Sequence, residues 1–76
     1  MITVKLFGLL RLTYGIRELQ LEAATADQVL QQLAQLGIPK KELSGCLILV
    51  NSKAAHKKTK LCDGDVVQLM SPVAGG

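Results

Sequence analysis

The 76-residue sequence predicts an α+β domain, a mixed β-sheet with one main helix packed across a face. Three observations carry that prediction. Residues 2–7 and 17–22 alternate apolar and polar side chains with the period of a half-buried strand. Between residues 25 and 36 the apolar period lengthens to that of a helix. Two aliphatic runs, CLILV and VVQLM, then supply further strands.

In the first strand Ile2, Val4 and Leu6 share one face, and Thr3, Lys5 and Phe7 the other. GLLRLTYG, bracketed by two glycines, reads as a loop or a short helical turn. In residues 17–22, Leu19 and Leu21 point inward and Glu18, Gln20 and Glu22 outward, so the first two strands pair antiparallel. Thr25 and Gln28 then form a capping box, and Asp27 complements the dipole of the helix they open. Val29, Leu30, Leu33, Ala34 and Leu36 make the apolar stripe, and Gly37 with Pro39 ends it. CLILV, at 46–50, is expected to be a strand buried on both faces. The lysine-rich stretch beyond it suits a short edge strand that must not pair with other molecules. Asp63-Gly64-Asp65 is a turn. In the last strand Val67 and Leu69 share one face, with Val66, Gln68 and Met70 on the other. Residues 1–70 thus make one domain, and 71–76 a flexible C-terminal tail ending in Gly-Gly.

Hydrophobic residues are 49% of the chain but aromatics only 3%, so the core must be aliphatic. No apolar run approaches the roughly 20 residues that span a bilayer. The opening MITVKLFGLL lacks the basic region and cleavage site of a secretory signal, and a cytoplasmic location is expected. Two cysteines fit that compartment better than a disulfide framework does. The net charge of +3 is concentrated in KAAHKKTK, residues 53–60, which holds four lysines and one histidine. Such a run meets phosphate, an acidic protein or simply water, and no aromatic interleaves it for base stacking.

One histidine and two cysteines without metal-ligand spacing exclude a closed zinc site. Cys46 reads as a small buried hydrophobe. Cys62 with His56 is the one conceivable nucleophile and base, and no third residue orients the base. No glycine-rich loop joins a strand to a helix, which speaks against a phosphate cradle. The group in an unusual setting is the α-carboxylate of Gly76. Gly75 and Gly76 carry no Cβ and enter slots too narrow for other residues, while Pro72 biases the tail toward an extended path. A carboxylate so presented suits activation by a partner as an acyl-adenylate, followed by nucleophilic attack. A frayed end is the plain alternative.

Phe7, Leu10, Arg11 and Gly15 stand in an F-x-x-L-R-x-x-x-G opening. Val50-Asn51, Leu61, Asp63-Gly64-Asp65 and the closing Pro72-Val73-Ala74-Gly75-Gly76 follow in order. Over nearly the whole chain this resembles the MoaD/ThiS family of ubiquitin-like sulfur carriers, nearest its MoaD branch, the small subunits of molybdopterin synthase. There are two departures: Leu12 stands where the family often has an acidic residue, and Ser71 replaces the first of two tail prolines. The resemblance implies a β-grasp (ubiquitin-like) fold with no bound cofactor. It implies a MoeB/ThiF-like adenylating enzyme that uses ATP to activate Gly76, and a sulfur donor that converts it to a thiocarboxylate. A MoaE-like large subunit would receive the tail and pass the sulfur to a pterin precursor of the molybdenum cofactor. Alone, such a chain is non-catalytic. Archaeal ubiquitin-like modifiers share the Pro-Val-x-Gly-Gly ending, and the thiamine-pathway carrier ThiS shares the Gly-Gly, so both readings stand beside the first. An RNA-binding module of the TGS type would instead use Lys53, Lys57, Lys58 and Lys60.

Phe7 and Met70 both face away from the predicted core. With the first and last strands adjacent, as the resemblance implies, they form an apolar patch just ahead of the tail. Arg11 would add a contact at its rim, and Pro72, Val73 and Ala74 would lie in the partner's slot. Otherwise Phe7 tucks under the GLLRLTYG loop.

Overall fold

The computed structural model describes residues 1–70. Their elements in chain order are β1 (Ile2–Phe7), α1 (Leu9–Tyr14), β2 (Glu18–Leu21), α2 (Ala26–Gln35), α3 (Lys40–Ser44), β3 (Leu47–Val50), β4 (Lys53–Ala55) and β5 (Val66–Met70). The five strands form one mixed sheet in the order β2-β1-β5-β3-β4. β1 pairs antiparallel with β2, Lys5 standing opposite Glu18, and parallel with β5, Phe7 standing opposite Met70. β3 runs antiparallel to both neighbours, with Leu47 opposite Met70 and Val50 opposite Lys53.

The period-2 pattern of β1 reappears as strict alternation in burial, with Ile2, Val4 and Leu6 essentially inaccessible. Val67 and Leu69 of β5 continue that face, and Val29 and Leu33 of α2 close over it with no exposed surface. Burying such a side chain is worth about 1.5–3 kcal/mol. α2 is capped as its sequence predicts at one end of the box. The Gln28 amide donates to Thr25 Oγ1 at 3.3 Å. The Gln28 side chain, however, accepts from the Ala24 amide at 2.7 Å, one residue earlier than in the standard box. The next two amides, those of Ala26 and Asp27, donate to the carbonyls of Thr59 and Lys57 at 3.0 and 2.8 Å. Among the described residues no helix is long and apolar enough to cross a membrane.

One open alternative is decided and three local expectations change. GLLRLTYG is a true short helix, because Gly8 (φ 68°) and Gly15 (φ 70°) take the positive dihedrals that let the chain enter and leave it. Residues 40–44, for which no element was expected, form α3 behind Pro39, whose fixed φ of −59° suits a helix start. Leu36 lies beyond the last turn of α2 and is 58% exposed, while Ile38 fills the core position instead. CLILV is not buried on both faces: Ile48 is buried, Leu47 is 53% exposed, and Cys46 precedes the strand, half-buried. Among the described residues the helices cover one face of the sheet, and the alternate side chains of β3 lie on the other.

The β3–β4 hairpin turns through Asn51 and Ser52, both left-handed at φ 51° and 69°. Asn51 then ties that turn to β5. Its side chain accepts from the Val66 amide and donates to Asp65 Oδ1, both at 3.0 Å. The other Asp65 oxygen accepts from the Cys62 amide at 2.8 Å, closing the Asp63-Gly64 turn.

Candidate functional site

The strand registers bring three side chains into one row on the open face. Phe7 is opposite Met70 across β1–β5, and Met70 is opposite Leu47 across β5–β3. Met70 and Leu47 are 40% and 53% exposed, and Phe7 is half-buried. Behind them runs a mixed row, Lys5, Gln68 and Leu49. Met70 is the last described residue, so the apolar row lies where the chain passes into 71–76. Leu47 is the member that sequence reasoning missed. Its signal was the absence of a second helix long enough to cover the other face.

α1 stands beside this row because β1 ends at Phe7 and the chain turns at Gly8. Leu10 is buried and pins the helix, which leaves Arg11 exposed and Leu12 77% exposed. At its far end the Tyr14 hydroxyl donates to the Glu42 carboxylate of α3. That bond, together with partial desolvation, raises the Tyr14 pKa above its ordinary 10.0. The Cys46 thiol donates to the Glu42 carbonyl at 3.2 Å. Partial burial, then the nearby Glu42 charge, pushes this thiol up from 9.0 and favours the neutral form, the opposite of what a nucleophile requires.

His56 and Cys62 are both exposed, and no hydrogen bond joins them. His56 Nδ1 instead accepts from the Lys58 amide at 3.1 Å. Among the described residues no group of three His, Cys, Asp or Glu side chains is placed to hold a metal ion. Of the residues picked out by sequence, the structure brings together Phe7 and Met70 and places Arg11 on the adjoining helix. Pro72, Val73, Ala74, Gly75 and Gly76 lie outside the described residues.

The family model of the ThiS family matches residues 4–76. The chain belongs to the ThiS family. It is therefore a ubiquitin-fold sulfur carrier of the ThiS/MoaD type. Solved structures agree in fold. SAMP1 from Haloferax volcanii is 26% identical over 99% of this chain and 98% of that one, with a TM-score of 0.81. A chain of the complex of subunits 1 and 2 of the molybdopterin-converting factor from Helicobacter pylori is 28% identical, over 99% and 97%, at 0.75. Urm1 from Trypanosoma brucei is 27% identical, over 99% and 94%, also at 0.75. The mixed five-strand sheet is thus the ubiquitin-like β-grasp. No curated protein sequence matches the chain. Within this ThiS-family fold the F-x-x-L-R-x-x-x-G opening has a structural meaning. Phe7 closes β1, Leu10 anchors α1, and Gly15 caps it in the left-handed conformation.

Proposed function

We propose that Gly76 is the sulfur-bearing residue of this carrier, and that the chain serves as the small subunit of a molybdopterin synthase. The match of the family model through Gly76 is the observation that carries this reading. The likeness to a chain of the Helicobacter pylori molybdopterin-converting factor supports the choice of pathway. A carboxylate oxygen of Gly76 attacks the α-phosphorus of ATP, and pyrophosphate leaves. A hydrosulfide-level nucleophile then adds to the acyl carbon, AMP departs, and a thiocarboxylate remains. The carrier supplies the nucleophile, and the large subunit supplies positioning and charge stabilisation for its transfer. Phe7, Met70 and Leu47 rest against the partner that holds the tail, with Arg11 at the rim.

The test is mass spectrometry after incubation with ATP, a MoeB/ThiF-like adenylating enzyme and a sulfur source. The mass should rise by the difference between sulfur and oxygen, and hydrolysis should reverse it. Deleting Gly76 should abolish the change, and sulfur recovered on Cys62 would overturn the assignment. A second reading, a protein modifier, is favoured by the likeness to SAMP1 and Urm1. It predicts isopeptide adducts through Gly76 in cells, whereas the synthase reading predicts conversion of a pterin precursor. Sulfur passed to a thiazole precursor instead would point to the thiamine pathway.

A further inference from the structure

α1 is too short to hold its own shape. It has six residues, and an isolated helix needs roughly 12–15 to be even marginal in water. Two anchors hold it, Leu10 and Tyr14, four residues apart and so stacked on one face. Leu10 is buried in the core, and Tyr14 packs half-buried against it. The Tyr14 hydroxyl adds the bond to the Glu42 carboxylate of α3, and among the described residues no other side-chain hydrogen bond reaches α1. Both polar groups lie at the surface, where water competes for such a bond and its share of global stability is small. What it fixes is the pose of a helix with few other restraints.

Topology gives that bond a particular place. β5 lies between β1 and β3, and α1 follows β1 while α3 precedes β3. The two registers put Phe7 and Leu47 on either side of Met70, so both helices join the sheet at the Met70 end of β5. Glu42 is tied to the approach to Leu47 by its own backbone. Its carbonyl accepts from the Gly45 amide at 3.3 Å and from the Cys46 thiol at 3.2 Å, and Leu47 comes next. A continuous path thus runs from Phe7 through α1 to Tyr14, across to Glu42 and on to Leu47. It joins the outer members of the apolar row around the end of β5. Leu10 and Leu43 both enter the core, so the path lies on the helix-covered side and leaves the row itself uncovered.

We propose that Tyr14 and Glu42 are positioning residues, whose bond braces α1 against α3 around the end of β5 and holds Arg11 and the Phe7–Met70–Leu47 row in one arrangement for the adenylating partner. This rests on the carrier reading above. The brace touches neither the reacting carboxylate nor ATP. Its contribution is preorganisation: it removes an ordering cost that binding would otherwise carry. The bond needs an acceptor at position 42 rather than a charge there.

The chain has one tyrosine and no tryptophan, so the bond can be read directly in the free protein. Ultraviolet titration should place Tyr14 ionisation above the ordinary 10.0, because the carboxylate acceptor holds the hydroxyl proton, and Glu42→Ala should lower it. The Leu12 and Gly15 amides donate to the Gly8 and Arg11 carbonyls. Their hydrogen exchange should quicken about fivefold in Tyr14→Phe, with Leu33 in α2 unchanged. With a purified MoeB/ThiF-like adenylating enzyme, carrier concentration is varied in ATP–pyrophosphate exchange. Tyr14→Phe and Glu42→Ala should each raise KM about fivefold at unchanged kcat, with melting curves near wild type. The two together should be no worse than either alone, since both remove one bond. Glu42→Gln keeps an acceptor for the hydroxyl and should restore the wild-type KM. Unchanged KM in Tyr14→Phe and Glu42→Ala overturns the positioning role, whether or not melting falls. So does a Glu42→Gln as impaired as Glu42→Ala, or additive effects in the pair. A wild type that the enzyme does not adenylate overturns the carrier reading and the positioning role with it. Normal adenylation by wild type and every variant overturns the positioning role alone.

Discussion

Asp65 accepts hydrogen bonds from the Cys62 amide and the Asn51 side chain, and these hold its carboxyl below the ordinary 3.8. A carboxyl whose pKa is depressed by folding adds stability above its unfolded pKa and loses it as pH falls through the folded one. Melting temperature is therefore expected to drop in acid below about pH 4, and Asp65→Asn should flatten that limb. Asn51→Ala removes a residue tolerant of the left-handed region together with two side-chain bonds. It should cost about 1–3 kcal/mol in urea unfolding. Cys62→Ser, at an exposed position, should change stability by less than about 0.5 kcal/mol and keep thiocarboxylate formation. A folded Cys62→Ser protein that cannot be sulfurated would return that thiol to the chemistry.

At the scale of elements, the Phe7–Met70 pairing turns a periodicity into a surface. Phe7→Ala and Arg11→Ala are expected to weaken partner affinity by about 1 kcal/mol or more with melting unchanged, as a hot spot does. Lost stability at unchanged affinity would make Phe7 a core residue under α1. Leu33→Ala, by contrast, should cost about 2–5 kcal/mol, because α2 buries that side chain completely. β1, β2, α2 and β5 were legible because each keeps one period for its whole length and ends at glycine, proline or a cap. α3 was not, since five residues are too few to show a helical period and its buried contact is Leu43. Leu47 was hidden by its neighbours: a continuous aliphatic run looks alike whether one face or both are covered. The basic turn was visible as composition, but its order comes from contacts with α2 that lie far away in sequence.

At the scale of the molecule, the central pairing of β1 with β5 could not be read from periodicity and entered through the family resemblance. The likeness of Pro-Val-Ala-Gly-Gly to the family's ending likewise singled out Gly76, which composition alone left beside a frayed end. Among the described residues the buried hydrophobic core runs from Ile2 to Leu69, and deleting Gly75 and Gly76 should leave the melting temperature unchanged while abolishing sulfur loading.

That the first and last strands are hydrogen-bonded neighbours also sets when this protein can fold. The middle of the sheet needs residues 2–7 and 66–70 together, so its contacts close nearly the whole chain as a loop. Such topologies fold slowly for their size, because loop-closure entropy is lost before the contacts that repay it are made. During synthesis at about 5–20 residues per second, the sheet cannot be completed until residues 66–70 have been made. A chain that has not yet reached β5 therefore presents no assembled Phe7–Met70–Leu47 row, and a partner that reads that row meets only molecules in which residues 66–70 have joined the sheet. A fragment ending at Asp65 is expected to show no cooperative thermal transition by circular dichroism. A cooperative melt in that fragment would mean that folding does not wait for β5.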